Sequence, residues 1–356
     1  MNVRSLFFAT AGTLTFSLAS AQVDYVGEIT IPDGHDVVVR QAVNPSSDGN
    51  DFLYLVTTTQ IYQAIPPATG NAFAFYSGVT HFGGDGIILS TSTIAIAPAE
   101  KNSPGGDVLI MSGTLNRIFS YNLTTRYRLS TETVNSAGAA PRDAMAVQQA
   151  TSRVLIAKTN QIFAGVRGDL TDGTSLLIDG TATGNNQFVK LTEMAFAGDA
   201  FGGLLFTLDW GAQQVKAFDI DDPDGNYFRY AFDLPTGLEL NVKGHGMTIN
   251  NYGHLFIADG RGGGMEFSLT GELLATFSPP ADELYAANNG VGGYDASLDA
   301  TFITYTEDGN IFVMDGEYGL HWYRDTAAYS VPEPATCAAL AATAALGLAA
   351  CRRRRF

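Results

Sequence analysis

Three acidic or imidazole side chains recur at one place in a repeating pattern of this 356-residue chain. Asp143 stands two residues before Met145, Glu193 stands one residue before Met194 with Thr192 beside it, and His245 stands two residues before Met247. Two carboxylates and an imidazole brought to one spot can hold a divalent cation, since carboxylate oxygens and ring nitrogens are the donors such ions accept. The same side chains can equally satisfy backbone groups or face water, and their spacing is not a consistent ligand set. A second candidate is the acidic stretch FDIDDPDGNYFRYAFD. Asp222, Asp224 and Asn226 stand at positions 1, 3 and 5 of a calcium-loop pattern, with Asp233 at position 12. Tyr227 takes the sixth position, where that loop needs glycine for its sharp turn. Pro223, Asp224 and Gly225 make a tight turn unaided, and the turn is the favoured reading.

Other chemistry is poorly represented. Zinc motifs, a phosphate loop and a Ser-His-Asp signature are absent, so no catalytic residue is assigned. The glycine-rich GRGGGME from Gly260 joins two strands and lacks the helix N-terminus that would hold phosphate. Asp209, Asp259 and Asp315 each end an apolar run at a turn, where a carboxylate accepts N–H groups of the turn backbone. No cofactor is predicted, with Ca²⁺ or another divalent metal as the exception to watch. Acidic side chains number 36 against 20 basic, a formal charge of −16. Removing Arg4 and the four terminal arginines leaves 15 basic residues against the same 36, or nearer −21. Such a surface repels phosphate backbones, which argues against nucleic-acid binding.

The elements that would position these residues are strands. Only 16% of residues are charged, 39 are glycine and 11% are aromatic, a mix that suits short strands joined by glycine turns. A pattern of apolar strand, polar turn, strand such as LLFTLD, HLFIAD or NIFVMD, small-residue turn and third strand begins at Gln41, Ile94, Met145, Met194, Met247 and Ile303. These onsets are spaced by 53, 51, 49, 53 and 56 residues, and self-similarity at such a period is the mark of a repeat architecture. The expected fold is all-β, a six-bladed β-propeller over residues 22–329 in which each unit has a fourth strand, except the last. The N-terminal YVGEITI from Tyr25 shares a Gly-Glu-apolar run with LTGELLATF, so it is expected to add the missing outer strand and close the ring. Around GHLFIADG and GNIFVMDG the turns resemble those of NHL-type and related six-bladed propellers. In a propeller the residues that open the inner strands converge at one mouth, and Asp143, Glu193 and His245 there could bind a metal as lactonase-type and lyase-type propellers do.

Both ends of the chain read as addresses. Arg4, an uncharged apolar run from Leu6 to Ala19, and the small-x-small Ala19, Ser20, Ala21 make a signal peptide over residues 1–21, cut before Gln22. The body then has no cysteine, because Cys337 and Cys351 both lie in the final apolar segment, and packing rather than disulfides must stabilise it. From Ala335 to Cys351 run 17 uncharged residues, nine of them alanine and three leucine. As a helix they span roughly 25 Å, short of a hydrocarbon core of about 30 Å. Arg352, Arg353, Arg354 and Arg355 favour the cytoplasmic side, and Pro332 and Pro334 keep the stretch around Glu333 extended and accessible outside. Val331, Pro332, Glu333, Pro334, an apolar helix and an arginine cluster resemble the PEP-CTERM sorting signal of exported bacterial proteins, over residues 330–356. The resemblance implies recognition and removal of the tail by a membrane-embedded exosortase-type enzyme, in bacteria that make exopolysaccharide and biofilm.

The expected product is an exported protein, held transiently in the inner membrane and then released to the cell surface or extracellular matrix. Its propeller would be a binding or scaffold module for a polysaccharide or protein ligand. The competing reading is a metal-assisted hydrolase or lyase with its site at the channel mouth.

Overall fold

The computed structural model describes a set of short early strands, then residues 151–166, 174–235, 246–250, 252–259, 262–280, 302–305, 309–315 and 319–326. The expected signal-cleavage residues Ala19, Ala21 and Gln22 and the whole tail from Val331 to Arg355 lie outside the described residues. Among the described residues no helix is long and apolar enough to cross a membrane, and the one helical element is a single 3-10 turn at Asp199–Phe201.

Strand β1 is Val23–Glu28, and twenty-three more follow it among the described residues. The next sheet holds β2 (Gln41–Val43), β3 (Leu53–Val56), β4 (Ile61–Ile65) and β5 (Ala74–Tyr76). It is followed by β6 (Ser92–Ala97), β7 (Asp107–Ser112), β8 (Arg117–Asn122) and β9 (Arg128–Thr133). Then come β10 (Ala144–Gln148), β11 (Arg153–Lys158), β12 (Gln161–Val166) and β13 (Ser175–Asp179). A further sheet holds β14 (Leu191–Phe196), β15 (Leu205–Asp209), β16 (Gln214–Phe218) and β17 (Phe228–Asp233), and the next β18 (Met247–Ile249), β19 (His254–Ala258), β20 (Gly264–Ser268) and β21 (Leu273–Phe277). The last three strands are β22 (Phe302–Tyr305), β23 (Asn310–Asp315) and β24 (Gly319–Asp325). Each four-strand group is one antiparallel meander, and the last is completed by β1, in the order β1-β24-β23-β22.

The sheets are arranged around their first strands. Among the described strands β2 lies against β6, β6 against β10, β10 against β14, β14 against β18, β18 against β22 and β22 against β2. The architecture is thus all-β and propeller-like, with second strands almost wholly buried: Val154 to Ala157, Leu205 to Asp209 and Leu255 to Ala258 are each enclosed on both faces. Such strands read as near-continuous apolar runs because both faces meet a neighbouring sheet. The outer strand β17 alternates instead, with Phe228, Tyr230 and Phe232 turned inward and Arg229, Ala231 and Asp233 outward.

Packing between sheets is apolar and aromatic. Between the third and fourth meanders Phe218 meets Phe228 edge to face and Phe188 at a tilt, with ring centroids 5.9 Å apart in both pairs. Phe206, Val215, Leu255, Ile257 and Phe267 fill the next seam. Phe256, Phe277, Ile311, Val313 and Tyr323 fill the seam onto the closing sheet, with Tyr25 from β1 packed against them. Tyr25 and Tyr323 sit edge-on at 5.3 Å, the geometry in which the positive ring edge faces the negative ring face.

Candidate functional site

The inner ring brings one of the three aligned candidates into view. Strand β14 is irregular where it begins: Leu191 pairs with Asp209 and Glu193 with Leu208, so Thr192 is the extra residue of a bulge. The Thr192 hydroxyl donates to the Leu208 carbonyl at 3.4 Å. Glu193 is left half-buried beside β10 and β18, and its Oε1 accepts the Met194 N–H at 3.0 Å. Burial pushes its carboxyl up to about 8, against the opposing pull of that N–H. A carboxyl shifted this way keeps its proton to higher pH than an ordinary glutamate and in that form can donate a hydrogen bond. Asp143 and His245 lie outside the described residues, immediately before β10 and one residue before the buried Gly246. Among the described residues no group of three or more His, Cys, Asp or Glu side chains has metal-holding geometry.

The acidic stretch is occupied from within. Asp219 Oδ2 and Asp222 Oδ2 both accept from the Arg229 guanidinium, at 2.8 and 2.5 Å, and the same guanidinium donates to the Asn226 carbonyl. Asp222 Oδ1 takes the Asp224 N–H at 2.8 Å, closing an Asx turn in which Gly225 has a φ of 73°. The Arg229 hydrogen bond, reinforced by the Asp224 N–H, holds the Asp222 carboxyl below its ordinary range. An arginine thus stands among the carboxylates where a calcium reading would put the ion, and the Asp224 side chain is exposed. Asp233, the twelfth position, instead accepts from Gln214 Nε2 at 2.7 Å across the β16–β17 ladder.

The turn-ending carboxylates differ in what they hold. Asp209 is fully buried and accepts the N–H groups of Val189, Lys190 and Ala212 at 3.1, 2.9 and 3.3 Å, with the Lys216 ammonium at 3.1 Å. Lys216 also donates to the Gln187 carbonyl and lies over the Phe188 ring. Asp209 therefore ties the β13–β14 connection to the β15–β16 turn. Asp259 accepts the Gly263 N–H at 3.0 Å, and Asp315 ends β23, its side chain outside the described set.

One polar cluster is visible only in three dimensions. His254 and Glu266 share a face of the β19–β20 ladder and are joined at 2.5 Å through Nδ1 and Oε1. Glu266 is 0% exposed, and its other oxygen has no hydrogen-bond partner. Across the seam Tyr305 donates to Asp325 Oδ2 at 2.9 Å, with its ring stacked on Phe256. The Glu266 hydrogen bond raises the His254 imidazole above its ordinary value against the effect of burial, and the Glu266 and Asp325 charges add to the rise. Burial and then Asp325 raise the Tyr305 phenol. A glutamate inside the strand GMEFS is a sequence signal of a buried partner, but the identity of that partner depends on register.

Comparison with known proteins bears mainly on the tail. Residues 330–355 match the PEP-CTERM protein-sorting motif. That motif marks an exported chain, sorted to the cell surface and handled by an exosortase. No curated protein matches the chain. Among solved structures, the selenomethionine-substituted virginiamycin B lyase of Staphylococcus aureus superposes with a TM-score of 0.48 at 11% identity, over 85% of this chain and 99% of that one. A catalytically inactive form of that lyase with quinupristin gives the same figures, a TM-score of 0.48, 11% identity and the same 85% and 99% coverage.

Proposed function

We propose that this chain is a secreted, exosortase-processed surface or matrix protein whose body, a six-bladed propeller of NHL-like type, is a binding or scaffold module. The carrying observation is the sorting motif at residues 330–355, directly behind the sheet that β1 completes. In this reading residues 1–21 are a removed signal peptide. Residues 335–351 cross the inner membrane only until the tail is cut, and the released body joins an exopolysaccharide matrix. In this reading the half-buried Glu193 carboxyl, on an inner strand and shifted upward by burial, donates to hydroxyls of a polysaccharide ligand. The buried turn carboxylates serve the fold, since backbone N–H groups and Lys216 take up Asp209.

A second reading has its own observation. A carboxyl raised to about 8 on an inner strand is also what a general acid needs, so a metal-assisted hydrolase or lyase at the channel mouth is the competitor. Mass spectrometry of the chain expressed in an exosortase-bearing host tests the first reading, with loss of everything beyond the Pro-Glu-Pro motif expected. An intact arginine tail on secreted protein would overturn it. Elemental analysis of the same sample decides the second: one equivalent of a divalent metal per chain, lost together with turnover in Glu193→Gln, would move the protein to the enzymes.

A further inference from the structure

The register of the closing strand puts the two ends of the body at one point. Val23 lies opposite Asp325, Asp24 opposite Arg324 and Tyr25 opposite Tyr323. The expected signal cleavage after Ala21 is two residues before Val23, and Pro332 is seven residues beyond Asp325. A chain spans at most about 3.6 Å per residue, so Ala21 stays within roughly 7 Å, and Pro332 within roughly 25 Å, of this one strand end. A body of this length has a radius of gyration of about 19 Å and a diameter of roughly 50 Å, so the tether to the sorting motif is about half the width of the body. This edge is therefore held nearer to an enzyme that grips the tail than the opposite side of the ring is.

Tyr25 and Val23 of β1 pack on the closing core, Tyr25 through Tyr323 and a 3.4 Å contact with His321 Nδ1, while Val26 is 37% exposed.

We propose that the Val23–Asp325 end of the β1–β24 pair is the docking edge by which the folded body meets its membrane-embedded processing enzyme. The inference rests on the sorting reading above and adds an orientation to it. Both membrane-directed segments leave from this edge, so the ring can close before either is removed. A closed ring presents the tail on a short tether, which raises its effective concentration at the enzyme into the millimolar range.

The test is crosslinking in cells that carry the enzyme, with Cys337→Ala and Cys351→Ala so that one thiol is present in each variant. Val26→Cys places it on the docking edge, and Leu176→Cys places it on β13, in the sheet three steps around the ring, where the native side chain is 47% exposed. A thiol-linked photo-crosslinker should capture the processing enzyme about tenfold more from Val26→Cys, the gain that a short tether confers on a near edge. Equal capture from both sites, or no capture from Val26→Cys while the tail is still removed, overturns the docking edge. A tail that is never removed from the parent chain instead overturns the sorting reading. As a second arm, Tyr25→Ala should slow tail removal about threefold or more by loosening β1 from β24. Unchanged processing in a variant whose unfolding midpoint has dropped would count against the edge.

Discussion

Asp209 and Glu266 are both fully buried carboxylates on strands enclosed between sheets, and they are treated in opposite ways. Asp209 ends its strand and receives three backbone N–H groups and the Lys216 ammonium. Glu266 sits mid-strand, where the backbone is committed to its ladder, and among the described residues receives only His254, with Oε2 unpartnered. The difference is one of position along the strand rather than depth of burial. Turn backbone has N–H groups to spare, whereas ladder backbone has none, so a carboxylate in a ladder depends on side chains that titrate. Glu193, beside the bulge on an inner strand, falls between the two: its one donor among the described residues is the backbone N–H of its own neighbour.

This contrast can be broken most forcefully at Asp209. Asp209→Ala strips four donors of their acceptor and strands a buried lysine, so urea unfolding of the tail-free body should show a loss of about 3–5 kcal/mol. A loss under about 1 kcal/mol would mean that water replaces the carboxylate and that the turn is not held as described.

Glu193→Gln should act in the other direction. A carboxyl held at about 8 in the fold and near its ordinary value when unfolded binds more protons in the native state between those limits. Its contribution is therefore present below the ordinary value and lost as pH rises through 8. The variant should match the parent near pH 4 and exceed it by about 1–3 kcal/mol at pH 9, less than the full linkage value because the side chain is half-buried. Equal pH profiles for parent and variant would show that Glu193 is solvated.

The His254–Glu266 pair sharpens the same comparison on a smaller scale. A raised imidazole contributes stability that is complete below its ordinary value and lost as pH rises through the folded one. The deficit of Glu266→Gln relative to the parent should accordingly shrink between pH 6 and pH 9, and the His254 ring resonances should titrate at lower pH in the variant. Identical midpoints would remove Glu266 as the cause. The smallest effect belongs to Arg153, whose 2.8 Å pair with Asp221 is partly exposed on both sides. Arg153→Ala should shift stability by less than about 1 kcal/mol and mainly at low salt.

Much of the fold was legible because it is local. Each repeat onset falls within the first strand of a meander, from Gln41 in β2 through Met194 in β14 to Ile303 in β22. The candidate site was less legible. Aligning Asp143, Glu193 and His245 assumed a constant register, but β14 carries a bulge at Thr192 that one-dimensional alignment does not reveal. One extra residue reverses which face every following side chain occupies. The calcium-loop pattern likewise named the acids of the 222–226 turn without showing that Arg229, on the next strand, reaches back among them.

By itself, the sequence determined the strand-forming body, its period and the sorting tail. Each of these is written in runs of neighbouring residues: apolar alternation, turn glycines, and the order of Pro-Glu-Pro, apolar segment and arginines. Only the tertiary structure decided that Tyr25 meets His321, that Lys216 and Asp209 share a seam with Phe188, and that Glu266 has one partner while Asp209 has four. The physical reason is that a buried polar group is settled by whichever donors the packing of distant strands and neighbouring sheets brings within about 3 Å, and no local pattern records that distance.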